Sequence, residues 1–243
     1  MSVSSKTTYN FWVRIKRVLL WLFILQLIYI ILLRWMDPPF TITQVSNWVV
    51  GNGFQRDYVN ASQISPYALL AVIASEDQLF AEHNGFDWKR IQEAFKHNEK
   101  KPAKLRGGST ISQQTAKNVF LWKGRSWISK VLEVYFTFMI ELVWGKKRIL
   151  EVYLNVIEMG RGVFGIEAAA QYYFGKSARQ LTRQEAALIA ASLPNPKRYK
   201  VKPASRYVQS RAAFIVRQMG HLQGNPVVRN LIEKRNELIK KVN

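Results

Sequence analysis

The chain contains no cysteine. That excludes disulfides, thiol nucleophiles and cysteine-ligated metal centres. It fits an oxidising compartment without requiring one. Acidic residues are scarce: 16 Asp and Glu stand against 36 Lys and Arg, a formal charge of +20 over 243 residues. Such an excess attracts polyanions, whether nucleic acid, anionic lipid or a diphosphate. Colloidal solubility alone needs far less charge. The imbalance is strongest late, with 12 basic and 2 acidic residues between 187 and 243. Only three histidines occur, His83, His97 and His221, and they do not form a zinc spacing. No alanine precedes Ala61, so the small-residue cleavage site of a signal peptide is missing. Internal repeats and long strand patterns are also lacking.

What is present near the start is an uncharged run, "VLLWLFILQLIYIILL" at 18–33, bounded by Arg17 and Arg34. With Trp35 and Met36 it approaches the roughly 20 residues of a spanning helix. Lys6, Arg14, Lys16 and Arg17 precede it, which places the N-terminus in the cytoplasm by the positive-inside rule. The pattern predicts a basic cytoplasmic tail over 1–17 and an uncleaved transmembrane helix over 18–36. Asp37-Pro38-Pro39 ends that helix. Residues 37–64 mix β-branched and turn residues and read as an irregular connector with short extended pieces. A mostly α domain follows over 65–200, on the far side of the membrane. Two basic helices, about 205–222 and 226–240, close the chain at 201–243, packed on that domain or extending it. Anionic lipid is the nearest polyanion for an anchored chain.

The stretch "ASEDQLFAEHNGFDW" at 74–88 carries the first chemistry. Ser65-Pro66 caps and starts a helix, whose apolar run over 68–74 ends at Glu76 and Asp77. A carboxylate at the mouth of a buried helix is partly desolvated, which suits a general base; an ordinary helix end with surface acids is the plainer reading. Phe80 and His83 follow, and His83 is expected to hydrogen-bond within this block. Asp87 caps a further helix with Ile91, Ala94 and Phe95 on one face, and 96–106 reads as a basic exposed loop. "GGSTISQQTAKNVF" at 107–120 is a candidate anion cradle. Gly107 and Gly108 let backbone N–H groups approach a ligand, Ser109 and Thr110 add hydroxyls, and a helix N-terminus favours negative charge. Thr110, Gln114 and Lys117 fall on one helical face, with Asn118 beside them. In the next helix, about 126–144, Trp127, Val131, Val134, Phe138 and Leu142 recur at helical period. Glu133 lies next to this stripe, with Lys130 three residues earlier. A capping box at Thr182–Glu185 opens an alanine-rich helix that stops at Pro194.

Taken in order, these segments resemble the biosynthetic peptidoglycan glycosyltransferases. "EDQLFAEHNGFD" at 76–87, "GGSTISQQTAKN" at 107–118, "KKRILEVYLNVIEMG" at 146–160 and "GIEAAAQYYFGK" at 165–176 match that family's first, second, fourth and fifth blocks. The third block departs from the pattern. Where the family usually carries an Arg-Lys pair before its second glutamate, this chain has Ser129 and Lys130 before Glu133, with Arg125 and Lys130 as the cations that compensate. No Ser-x-x-Lys and no Lys-Thr-Gly occurs, so the likeness is to the monofunctional, membrane-anchored members. The resemblance implies a lysozyme-like helical domain with a membrane-facing jaw lobe, anchored by a single pass in the inner membrane with its catalytic domain in the periplasm. It implies polymerisation of lipid II onto a growing glycan strand by inverting transfer, with release of undecaprenyl diphosphate. Glu76 is then the general base, Asp77 orients the site, and Asp77, Phe80 and His83 are counted among the substrate-binding residues. Gly108, Ser109, Thr110, Gln114, Lys117, Asn118, Arg125 and Lys130 face the substrate, and Glu133 supports the diphosphate side. No cofactor is required by this reading; a divalent cation, Mg or Mn, is the one candidate aid. Expected partners are lipid II, the glycan strand, the membrane and other cell-wall synthesis proteins, not nucleic acid. Two alternatives stay open: a membrane-bound lysozyme-like hydrolase or lytic transglycosylase, and a non-enzymatic anchored scaffold for polyanions.

Overall fold

The computed structural model describes residues 3–51, 53–102, 107–122, 124 and 126–232, with the backbone alone for 3–10. The chain divides into two units at Asp37–Pro38. The first contains helix α1 (Val3–Leu32), within which Phe11–Leu32, 22 residues of mean hydropathy 2.1, is long and apolar enough to cross a membrane. A helix of that length spans about 33 Å, close to a bilayer's hydrocarbon core. α1 begins well before residue 18 and stops at Leu32. Trp35 therefore lies in the turn beyond it, and Met36 follows.

In the second unit the connector holds a helix that the sequence reading left irregular. α2 (Ile42–Val49) is opened by Thr41, whose side chain accepts from the Gln44 N–H while Gln44 reaches back to the Thr41 N–H. Gln55–Arg56 (β1) then pairs in parallel with Val163–Phe164 (β3), which pairs antiparallel with Glu158–Gly160 (β2). The remaining helices are α3 (Pro66–Glu76), α4 (Trp88–Lys100), α5 (Ile111–Phe120), α6 (Trp127–Val143), α7 (Gly145–Val156), α8 (Ile166–Phe174), α9 (Arg183–Ser192) and α10 (Arg206–Gln223). The caps expected at Ser65, Asp87 and Thr182 are in place, and Thr110 and Ser126 cap α5 and α6. α4 continues through Lys100, so the start of the expected 96–106 loop is helical, and Phe95 on α4 is exposed. Residues 226–232 are helical; the expected continuation of this last helix to 240 lies outside the described residues.

α3 is buried along Ala68–Ala74. It packs on α9 and α10, while α5 packs on α6 and α7. The C-terminal end of α3 and the N-terminal end of α5 are joined by Asp77, whose carboxylate accepts the Ile111 N–H at 2.9 Å. Asn155 in α7, fully buried, ties the connector to this body by exchanging hydrogen bonds with both the N–H and the carbonyl of Val59, each at 3.0 Å.

α6 is inverted relative to a core helix. Its apolar stripe faces outward: Trp127 is 76% exposed, Val131 58%, Phe138 59% and Leu142 69%. Ser129, Glu133, Thr137 and Ile140 form its buried side. Apolar side chains of α2 and its surroundings, Ile42, Val45, Trp48, Val49 and Val50, are exposed as well.

Candidate active site

Glu76 is the last residue of α3, and Asp77 leaves the helix at φ −161°, ψ 82°. This change of backbone direction parts two adjacent carboxylates. Glu76 is half-buried. Gln114 of α5 donates Nε2 to its Oε2 at 2.9 Å, and the Ser75 hydroxyl lies 3.3 Å from both its Oε1 and the Ala190 carbonyl. Two arginines meet the carbonyls that the end of α3 leaves without helical partners: Arg90 donates to the Glu76 carbonyl, and Arg211 donates Nη2 to Ser75 O at 3.3 Å.

Asp77 is 1% exposed. Both its oxygens lie 3.0 Å from His83 Nε2. His83 Nδ1 accepts the Gly85 N–H at 3.1 Å, so the ring's donor is Nε2 and it points at Asp77. Gly85 carries φ +90°, and a Cβ there would meet Thr137 Cγ2 at 2.9 Å, which restricts the position to glycine. Thr110 is fully buried; its hydroxyl donates to the Gly85 carbonyl at 2.7 Å while accepting the Gln113 N–H. Phe80 is also fully buried, edge-on to His83 and under the Lys146 ammonium, which lies 4.6 Å from the ring centroid. Lys146 is held by Glu141 at 2.6 Å, and Glu141 also accepts from Ser112 at 2.5 Å. Burial lowers the Lys146 pKa, opposed by the Glu141 hydrogen bond and by the charges of Glu141 and Asp77. Asp77, His83, Phe80 and Thr110 thus form a buried support behind Glu76.

Glu76 lines one of two adjoining cavities. The larger, about 950 Å³, is lined by Glu76, Lys89, Arg90, Tyr207 and Arg211 among others; the second, about 430 Å³, by Lys117, Asn118, Trp122 and Glu133. Ser109, Gln114, Leu193 and Pro194 border both. Among the described residues Lys117 has no carboxylate partner, so its ammonium is available to an anion in the second cavity. Glu133 is 5% exposed and is paired with Lys130 Nζ at 2.5 Å. Ser129, standing at the family's arginine position, is buried, and its backbone N–H is capped by Ser126. Gly108 packs against α4, where a Cβ would come within 3.3 Å of the Ile91 Cα. Arg125 lies outside the described residues.

The sequence reading missed the contribution of α10. Tyr207, Arg211 and Phe214 stand at steps of four and three, one helical face, and all three line the larger cavity. Burial pushes the Tyr207 phenol pKa up, with the Glu76 charge a lesser cause in the same direction. Arg90, Tyr153, Glu141 and Lys146 were missed too; only Arg90 reaches a cavity that Glu76 lines.

The donor set does not suit a resident metal. Glu133 is a single carboxylate already held by a lysine, and among the described residues no group of three Asp, Glu or His side chains converges. Magnesium held by so few protein ligands depends on substrate phosphates.

Gln114 borders both cavities, with half-buried Glu76 on the wall of one and Lys117 on the wall of the other. The transglycosylase family model matches residues 43–220, and the chain belongs to that family. Among its relatives, the biosynthetic peptidoglycan transglycosylases of Shigella boydii serotype 4 and of Escherichia coli strain ATCC 8739 are each 52% identical over 237 residues, covering 93% of this chain and 97% of theirs. That of Escherichia coli O1:K1 is 53% identical over the same coverage.

Proposed function

We propose that this transglycosylase polymerises peptidoglycan glycan strands from lipid II, with Glu76 as general base. The observation that carries the reading is the position of Glu76: it is held by Gln114 where two cavities adjoin, one of them furnished with the free Lys117. Glu76 takes the proton of the acceptor sugar's 4-hydroxyl as that oxygen attacks the anomeric carbon of the donor. The bond from that carbon to the lipid diphosphate breaks, the diphosphate departs with the electron pair, and a β-1,4 linkage forms with inversion. A sugar leaving group would need a second carboxyl as acid; a diphosphate leaves as an anion and needs positive charge instead. Lys117, with Ser109 and Asn118, supplies donors on that side, and Lys130 adds a cation beside Glu133. Glu133, paired with Lys130, is part of this flank and not a second acid.

The names of the relatives, which are biosynthetic enzymes, favour this over the hydrolase and scaffold readings. The outward apolar face of α6 and the exposed apolar residues of α2 support a jaw that meets the membrane, and α1 supports a single-pass anchor with the basic tail in the cytoplasm and the domain in the periplasm. Other cell-wall synthesis proteins are the remaining partner class.

The test is lipid II polymerisation by the full chain in detergent, with glycan products resolved on a gel. General-base catalysis contributes about 10²–10⁴ in rate, so Glu76→Gln loses at least about 100-fold while remaining folded. Near wild-type product from Glu76→Gln would remove that residue from the mechanism. Cleavage of preformed glycan, without polymer, would support the hydrolase.

A further inference from the structure

Behind Glu76 runs a line of two hydrogen bonds through three helices. Tyr153 of α7 is fully buried, and its hydroxyl donates to Gln114 Oε1 at 3.2 Å. Gln114 of α5 then donates Nε2 to Glu76 Oε2 of α3 at 2.9 Å. Burial first, and then the charges of Glu76 and Asp77, raise the Tyr153 phenol pKa well above its ordinary value, so the phenol keeps its proton and acts as a donor. A carboxamide has one accepting end and one donating end. With Tyr153 occupying the accepting end, the donating end faces Glu76.

We infer that Tyr153 is a positioning residue whose hydroxyl locks the Gln114 amide with its NH₂ toward Glu76 throughout the reaction cycle. The inference rests on the reading of Glu76 as general base. While Glu76 is ionised, its own charge favours the amide NH₂, and the lock is redundant. After Glu76 has taken the acceptor's proton it carries an O–H and no longer discriminates between the two ends of the amide. An unlocked amide then turns its oxygen toward that O–H and accepts from it, which holds the proton on Glu76. Tyr153 opposes the turn: its oxygen could accept from a turned NH₂, but its own buried proton would then lose Gln114 Oε1, the one acceptor it has among the described residues. The proton is released to solvent, and the base is restored for the next addition. The role is therefore felt in turnover and not in substrate capture.

The test is steady-state lipid II polymerisation by Tyr153→Phe, Gln114→Met and the double variant, beside a thermal unfolding check. Tyr153→Phe lowers kcat about three- to tenfold, the scale of one hydrogen bond, with KM within about twofold of wild type. In the Gln114→Met background, where no amide exists to lock, Tyr153→Phe adds less than about a twofold further loss. Wild-type kcat in Tyr153→Phe, a loss expressed in KM, or the full loss repeated in the Gln114→Met background would each overturn the inference. The last two patterns are those of a packing role. Should Tyr153→Phe not yield folded protein, Tyr153→Met removes the same hydroxyl and is read by the same criteria. Failure of the underlying reading looks different: Glu76→Gln would remain active whatever Tyr153→Phe does.

Discussion

Asp77→Asn is the sharpest test of how two adjacent carboxylates are divided between chemistry and support. Asp77 accepts from His83 Nε2 through both oxygens at 3.0 Å and from the Ile111 N–H at 2.9 Å, at 1% exposure. Asparagine offers one accepting oxygen in place of two. If that oxygen takes the Oδ2 place it still accepts from the Ile111 N–H and lies 3.0 Å from His83 Nε2, but the new NH₂, in the Oδ1 place, stands 3.0 Å from the same Nε2–H. Moving the ring proton to Nδ1 gives no relief, because the Gly85 N–H already points there at 3.1 Å. If it takes the Oδ1 place it accepts from His83 alone, and the NH₂ meets the Ile111 N–H. One donor–donor contact is therefore left in either orientation. A hydrogen bond to a charged acceptor contributes about 1.5–3 kcal/mol, and an unsatisfied buried donor costs about 1–3 kcal/mol. A loss of about 3 kcal/mol follows, which for a domain of this size is a fall in Tm of roughly 6–12 °C. The assay is thermal unfolding of the detergent-solubilised full chain, with Glu76→Gln alongside. Glu76 is half-buried at a cavity wall and bonds through a side-chain amide, so Glu76→Gln leaves Tm within about 2 °C, a surface-scale change. Asp77→Asn at wild-type Tm would refute the support role and with it the division of labour.

Two further outcomes are expected. Lys117→Ala lowers kcat/KM for lipid II at least about tenfold, the scale of one charge-assisted hydrogen bond, with Tm unchanged because no described carboxylate leans on it; intact turnover would end the assignment of the second cavity to the diphosphate. Because the chain lacks cysteine, a single cysteine at Val131 can carry a polarity-sensitive fluorophore. In proteoliposomes the Val131 label shifts to the blue and the same label at exposed Lys96 does not; equal emission at both sites would remove α6 from the membrane-facing surface.

The helices were legible where local chemistry was strong. Ser65-Pro66, Asp87, Thr110, Ser126 and the Thr182–Glu185 box each start a helix where the side chain at the cap satisfies a backbone N–H that no helical carbonyl reaches. The same signal stands at Thr41 and Gln44 and opens α2, within a segment whose mix of β-branched and turn residues reads as irregular. Spacing grouped the polar residues of this region without giving their surroundings. Thr110 and Phe80 are fully buried beneath the cleft and not on its wall, because spacing along a helix gives a face without saying what packs on it. Arg90, Arg211 and Tyr153 converge on α3 and α5 from other helices, a juxtaposition that only the packing of α4, α7 and α10 creates.

α6 shows why the direction of a stripe is the hardest part to read. Periodicity identifies Trp127, Val131, Val134, Phe138 and Leu142 as one face, and for a water-soluble domain that face turns inward. Here it turns outward, and the buried side carries Ser129, Glu133 and Thr137. Burying Glu133 in an apolar setting would cost several kcal/mol unless it were paired, and Lys130 at 2.5 Å supplies the pair from a side chain that is itself 56% exposed. An exposed lysine head neutralising a buried carboxylate at a cavity edge keeps a positive charge within reach of that cavity. The same helix thus presents an apolar face on its outside and the Lys130–Glu133 pair toward the diphosphate side of the proposed reaction. Both belong together if the substrate is a lipid carrying a diphosphate, since tail and headgroup then meet one helix from opposite sides. Glu133→Gln separates this from a purely structural pairing: it frees Lys130 from its partner and shifts KM for lipid II by at least about threefold, whereas a pair that only holds α6 in place lowers Tm and leaves KM alone.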